Sequence, residues 1–188
     1  EQHQIKNNMK LRHSLLLFIS FFFVLPLYAE YFKHIGLSEG LTQPSVMAIY
    51  QDRLGRMWFG TKEGISQYDG NRVRIFKGWI KSVGEEPPVW LGNEVSFIVG
   101  DSLDNLYFLI DKNLIKYDIQ TEKFSRLTNE SIITALTSSE GQVWYMKHDS
   151  LFCLKADKEP TFVLKTNITS RICCLTMMDD QIGIGTYN

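Results

Sequence analysis

The chain has 188 residues, of which 44% are hydrophobic and 13% aromatic, and its formal net charge is −1. That supply of apolar side chains is ample for a packed core. The near-neutral balance gives no electrostatic basis for binding nucleic acid, which needs a basic surface.

Residues 1–8 precede the first methionine and make no sense as structure, so Met9 is read as the true start. Lys10 and Arg12 supply a basic segment, Leu15 to Leu25 an apolar run, and Pro26 to Ala29 a small-residue ending. This is the pattern of a signal peptide cut between Ala29 and Glu30. The apolar run is too short to span a bilayer comfortably. Leu27 is bulky for the third position before a cut, which leaves an uncleaved anchor as the alternative. The expected organisation is therefore a leader over 1–29 and an exported part over 30–188.

From Val46 the chain reads as short strands. Val46, Ala48 and Tyr50 alternate with Met47, Ile49 and Gln51, and Asp52 to Gly55 supply a turn. Met57 to Phe59 form a second strand ending at Gly60-Thr61, Ile65 to Tyr68 a third ending at Asp69-Gly70, and Val73 to Phe76 a fourth.

A shift of 49 positions carries Trp58 to Tyr107, Val46 to Val95, Ile49 to Ile98, Asp52 to Asp101 and Tyr68-Asp69 to Tyr117-Asp118. A further 37 carries Tyr107 to Trp144, Leu114 to Leu151 and Ile98 to Ala135, with Ile133 and Leu136 close by. A truncated copy runs from Ile172 to Thr186, where Gly185-Thr186 repeats Gly60-Thr61. A small four-stranded sheet cannot bury its own faces, so repeats of this length imply stacked blades. The expected fold is all-β: a partial β-propeller of about three and a half blades of four antiparallel strands. Trp58, Tyr107 and Trp144 are expected to pack between blades. A β-sandwich with hairpins similar by chance is the alternative.

The segment Tyr31 to Ile35 resembles the fourth strands of the repeats and is expected to be the closing strand of a last blade that is missing here, which leaves it without a partner in this chain. The connection from Gly78 to Gly92 is the longest, and its prolines and glycines forbid a regular helix. Trp79 and Trp90 on it are the candidate ligand-binding residues, because an aromatic face stacks on the apolar C–H groups of a sugar ring. The competing reading packs both under their own loop.

Catalytic chemistry is not expected. His34 and His148 are not placed together, and Asp179-Asp180 reads as a solvated turn. Asp69 and Asp118 read as turn-capping carboxylates. Cys153, Cys173 and Cys174 make no disulfide framework, since adjacent cysteines are poorly placed to bridge each other. No spaced Cys/His set suggests a metal, and no cofactor is expected.

The run from Glu30 to Val46, with Ile49, Gln51-Asp52, Gly55, Trp58 to Thr61, Gly64-Ile65 and Tyr68 to Gly70, resembles the two-component regulator propeller repeat. Gly36-Leu37-Ser38 followed by Gly40 to Gln43 narrows the resemblance to the periplasmic sensor region of Bacteroides-type hybrid two-component systems. The second and third repeats depart from it, with Leu109-Ile110 and Met146-Lys147 in place of Gly60-Thr61.

The resemblance implies a ligand-sensing propeller that recognises polysaccharide breakdown products and regulates the genes for their use. It implies an oligosaccharide ligand and a homodimer in the full-length protein. Membrane contact would come only through the leader or a helix further along, and a histidine kinase would lie downstream of this chain. The alternatives are a secreted propeller enzyme, a lyase or glycosidase, or a truncated gene remnant. The enzyme would need convergent carboxylates or a His/Tyr pair at the central channel, which these repeats do not supply.

Overall fold

The computed structural model describes residues 32–80, 89–128, 133–155, 158–178 and 181–187. The expected cleavage site at Ala29 and Glu30, and the Asp179-Asp180 turn, lie outside the described residues. The chain divides into two units, Glu1–His34 and Ile35–Asn188, and the second carries the fold.

All regular structure among the described residues is β. Strands β1 (Val46–Gln51), β2 (Met57–Thr61), β3 (Gly64–Tyr68) and β4 (Val73–Phe76) form the first antiparallel sheet in that order. A short pair follows, β5 (Trp79–Ile80) with β6 (Val89–Trp90). The second sheet is β7 (Val95–Gly100), β8 (Leu106–Ile110), β9 (Asn113–Asp118) and β10 (Lys123–Arg126). The third is β11 (Ile133–Ser139), β12 (Gln142–Lys147), β13 (Ser150–Lys155) and β14 (Thr161–Lys165), and β15 (Arg171–Met178) pairs with β16 (Gln181–Tyr187). These are the blades of a β-propeller, three of four strands and one of two.

The turns explain why the strands stop where they do. Asp52 Oδ1 accepts the N–H groups of Leu54 and Arg56, and Asp101 Oδ1 accepts those of Leu103 and Asn105. At the same end of the sheets, in the turns between third and fourth strands, Asp69 accepts from Asn71 and Arg72, and Asp118 from Gln120 and Thr121. Each carboxylate satisfies backbone donors that a tight turn leaves without a partner in the ladder.

The core lies between blades. Trp58, Ile65 and Phe76 of the first blade pack with Ile98, Leu106, Phe108, Ile115, Tyr117 and Phe124 of the second. Tyr107, Leu109 and Leu114 then pack with Ile133, Leu136, Val143 and Tyr145 of the third, and Met146 and Leu151 with Ile172 and Leu175 of the fourth. Alternation assigns the faces. Trp58, Tyr107 and Trp144 point toward the following blade, and Phe108 and Tyr145, one residue further along, point to the preceding one. Trp58 and Tyr107 are fully buried, whereas Trp144 is half-buried.

One reading of the sequence needs correction. The partner of Tyr145 is Leu136, as the partner of Phe108 is Ile98, so Leu136 and not Ala135 is the third-blade counterpart of Ile98. The cause is the turn at Glu140-Gly141, which is one residue shorter than those after β1 and β7. Residues 32–35 form no strand; Ile35 instead joins Leu41 against Phe59, Tyr68 and Val73 on the free side of the first blade. The connection after β4 is not wholly irregular, since Trp79 and Trp90 face each other in the β5/β6 pair.

The opening phrase of the repeat is tied down by hydroxyls. Thr42 Oγ1 lies 2.8 Å from Thr61 Oγ1, and the Thr42 N–H donates to Ser66 Oγ at 3.2 Å. Leu41 is thereby held in the apolar cover of the blade. Ile49 remains 60% exposed, although its counterparts Ile98, Leu136 and Leu175 are buried against the blade before them.

Candidate ligand-binding face

The first strands β1, β7, β11 and β15 are neighbours in succession and surround the propeller axis. Each carries the same irregularity near its start. The register jumps between Val46 and Ala48, between Val95 and Phe97, between Ile133 and Ala135, and between Ile172 and Cys174. A bulge of this kind leaves one residue without a partner and re-aims its side chain. The four extra residues, Met47, Ser96, Thr134 and Cys173, all line one cavity of about 760 Å3 at the axis.

The mouth of that cavity is built by the turn between β8 and β9. Asp111 and Lys112 both take left-handed backbone, with φ of 47° and 62°, a conformation that costs a non-glycine residue energy and tends to occur where geometry is constrained. Asp111 Oδ2 and Oδ1 accept the N–H groups of Asn93 and Glu94, each at 3.0 Å. The Lys112 carbonyl accepts the Ile133 N–H at 3.1 Å. One two-residue turn therefore pins the entry of both β7 and β11. Glu94, Lys112 and Arg171 bring charges of both signs to the rim, with Phe97 and Tyr187 as aromatic lining. That mixture suits a ligand rich in hydroxyl groups, which both donates and accepts.

The tryptophan pair lies in the connection to β7, at the same end of the sheets as this turn. The rings of Trp79 and Trp90 are 5.3 Å apart and inclined by 54°. Trp79 is 67% exposed and Trp90 37%. Their neighbours Ile80 and Val89 are the residues that pack inward. Arg126 Nη2 donates to the Trp90 carbonyl at 2.6 Å and the Leu91 N–H to the Gly78 carbonyl at 3.0 Å, which fixes the base of the hairpin to the second blade. The intervening residues 81–88 lie outside the described residues.

Sequence reasoning named Trp79 and Trp90 and missed the cavity. Met, Ser, Thr and Cys share no chemistry, and only the recurring one-residue register shift relates them. His148 sits in the turn after β12 with φ of 55°. Among the described residues no group of three or more His, Cys, Asp or Glu could hold a metal ion, and no helix is long and apolar enough to cross a membrane.

Residues 40–63 match the sequence profile of the family described as Two component regulator propeller. Over those residues the chain is similar to the two-component regulator propeller repeat. The matched stretch spans Leu41, Thr42, the β1 strand, the Asp52 turn and Gly60-Thr61, the residues whose bonds hold the first blade together. Over 46 residues, 24% of this chain and 3% of the relative, it is 39% identical to Histidine kinase P4 of Formosa agariphila. In three dimensions it resembles the extracellular domain of a hybrid two-component system from B. thetaiotaomicron, with a TM-score of 0.66 at 21% identity, covering 82% of this chain and 24% of that one. It also resembles streptogramin B lyase, with a TM-score of 0.56 at 19% identity, over 78% of this chain and 50% of that one. Both likenesses are of fold alone. The chain thus spans about a quarter of the extracellular domain it resembles and 3% of the histidine kinase.

Proposed function

We propose that this propeller is part of an exported, periplasmic sensor that binds an oligosaccharide released from a complex polysaccharide and controls the genes for its use. The observation that carries the reading is the cavity of about 760 Å3 with rim charges of both signs, with the exposed Trp79/Trp90 pair at the same end of the sheets. Aromatic faces hold the apolar side of a sugar ring, and the rim groups pair with its hydroxyls. In the same reading the full-length protein is a dimer, with its membrane helix and kinase outside this chain. Ligand binding biases the arrangement of the two copies.

The test is calorimetric titration of the protein with oligosaccharide pools from plant, algal and host glycans, followed by product analysis. Saturable binding without cleavage, weakened about tenfold or more by Trp79→Ala or Trp90→Ala, is the expected outcome; tenfold corresponds to about 1.4 kcal/mol. Turnover of the glycan would replace this reading with that of a propeller enzyme. Binding indifferent to both tryptophans would remove them from the site.

A further inference from the structure

Cys173 and Cys174 are adjacent in β15, and in a regular strand their side chains would leave opposite faces. The bulge changes this. Ile172 pairs with Thr186 and Cys174 with Gly185, so Cys173 is the residue without a cross-strand partner. The two Sγ atoms stand 3.9 Å apart, and neither cysteine is in a disulfide. Across the ladder, a Cβ built on Gly185 would lie 2.3 Å from the Cys174 sulfur and 3.7 Å from that of Cys173. Glycine at this position leaves the hollow that the sulfurs occupy. Cys173 also lines the axial cavity, whereas Cys174 is exposed.

We propose that Cys173 and Cys174 form a reversible dithiol and disulfide site on the wall of the central cavity, oxidised by a small disulfide of the glutathione type. The exposed Cys174 thiolate attacks the reagent and releases one thiol, leaving a mixed disulfide. The Cys173 sulfur then displaces the second thiol and closes the Cys173–Cys174 bond. Two protons and two electrons leave the protein, and one exogenous disulfide becomes two thiols. The sulfurs must close to about 2.05 Å, and Cα atoms about 3.8 Å apart across a trans peptide are nearer than an unstrained disulfide prefers. The bond is therefore readily reduced, which suits a reversible site. Burial, and then the hydrogen bond to Cys174, push the Cys173 thiol above its ordinary value. That assigns the first attack to Cys174.

The proposal does not depend on which ligand the cavity takes. Its test treats the whole chain with oxidised glutathione, alkylates the remaining thiols and cleaves after Arg171. The peptide from residues 172–188 then carries both cysteines, and Cys153 falls on another peptide. The expected result is a peptide lighter by two hydrogens and free of alkyl label, restored by dithiothreitol, and formed faster in the folded chain than in urea. Two alkyl labels, or a stable glutathione adduct, would overturn the site. Equal rates in the folded and urea-unfolded chain would overturn the role of the bulge.

Discussion

The indole N–H of Trp58 donates to Asp52 Oδ2 across 2.8 Å, inside the interface between the first two blades. The same carboxylate accepts Arg56 Nε at 2.7 Å through Oδ2, and the backbone N–H groups of Leu54 and Arg56 through Oδ1. In the second blade Asp101 Oδ2 accepts the Tyr107 hydroxyl at 3.0 Å. One buried turn carboxylate thus both caps its hairpin and holds the polar end of the aromatic that packs on the next blade.

Asp52→Ala is expected to destabilise the propeller by about 2 to 4 kcal/mol, since it leaves a half-buried guanidinium and a buried indole without their acceptor. Asp101→Ala is expected to cost less, because its partners are uncharged. Ser139 stands at the corresponding register of the third blade, and Ser139→Ala should change stability by no more than about 0.5 kcal/mol. Urea unfolding of the three variants checks the order.

Trp58 contacts three rings, with centroids 5.9 Å from Phe76, 5.7 Å from Phe108 and 5.1 Å from Tyr117. Trp58→Ala is expected to cost about 3 to 5 kcal/mol through the cavity it leaves. The same change at half-buried Trp144 should cost clearly less, as thermal unfolding of both would report.

A Cβ at Gly60 would lie 2.7 Å from Val95 Cγ1 and 3.0 Å from its carbonyl oxygen. The first two blades approach here by way of a missing side chain. In the second and third blades Leu109 and Met146 hold this register and fill the interface themselves. Gly60→Ala is therefore expected to cost about 1 to 3 kcal/mol by overpacking, measured by chemical denaturation. Leu109→Ala is expected to destabilise by the opposite cause, a void.

Tyr145 is buried between the second and third blades and stacks on Phe152 at 5.3 Å. Burial pushes its phenol from 10.0 up to about 12. Below pH 10 both the folded and the unfolded chain hold the proton, and the stabilisation is complete. Between the two values the unfolded chain releases the proton first. Stability should then fall by roughly 1.4 kcal/mol per pH unit from this group. Burial also raises Tyr50 and Tyr117, which act in the same direction. Urea midpoints across this alkaline range should fall less steeply for Tyr145→Phe than for the unaltered protein. Equal slopes would mean that the phenol is not held neutral by the fold.

The propeller was legible because strand alternation, turn aspartates and a Trp or Tyr at one register recur at fixed offsets, and each is a local property of the chain. Asp69 and Asp118 were read correctly as turn caps for the same reason. The Ala135 assignment failed because a turn shortened by one residue shifts a strand without altering its alternation. Trp79 and Trp90 were legible as candidates, but only the β5/β6 pairing turned their rings outward.

By itself, the sequence determined that this chain is all-β, repeated and bladed, since a strand's side-chain period and a turn's preferred residues are written in short stretches. Tertiary structure alone decided which face of each strand meets which neighbour, because that depends on the blade next to it. It also decided that Met47, Ser96, Thr134 and Cys173 meet around one cavity and that two adjacent cysteines share a side. A bulge is one unpaired residue in a ladder, and pairing exists only once the strands have come together.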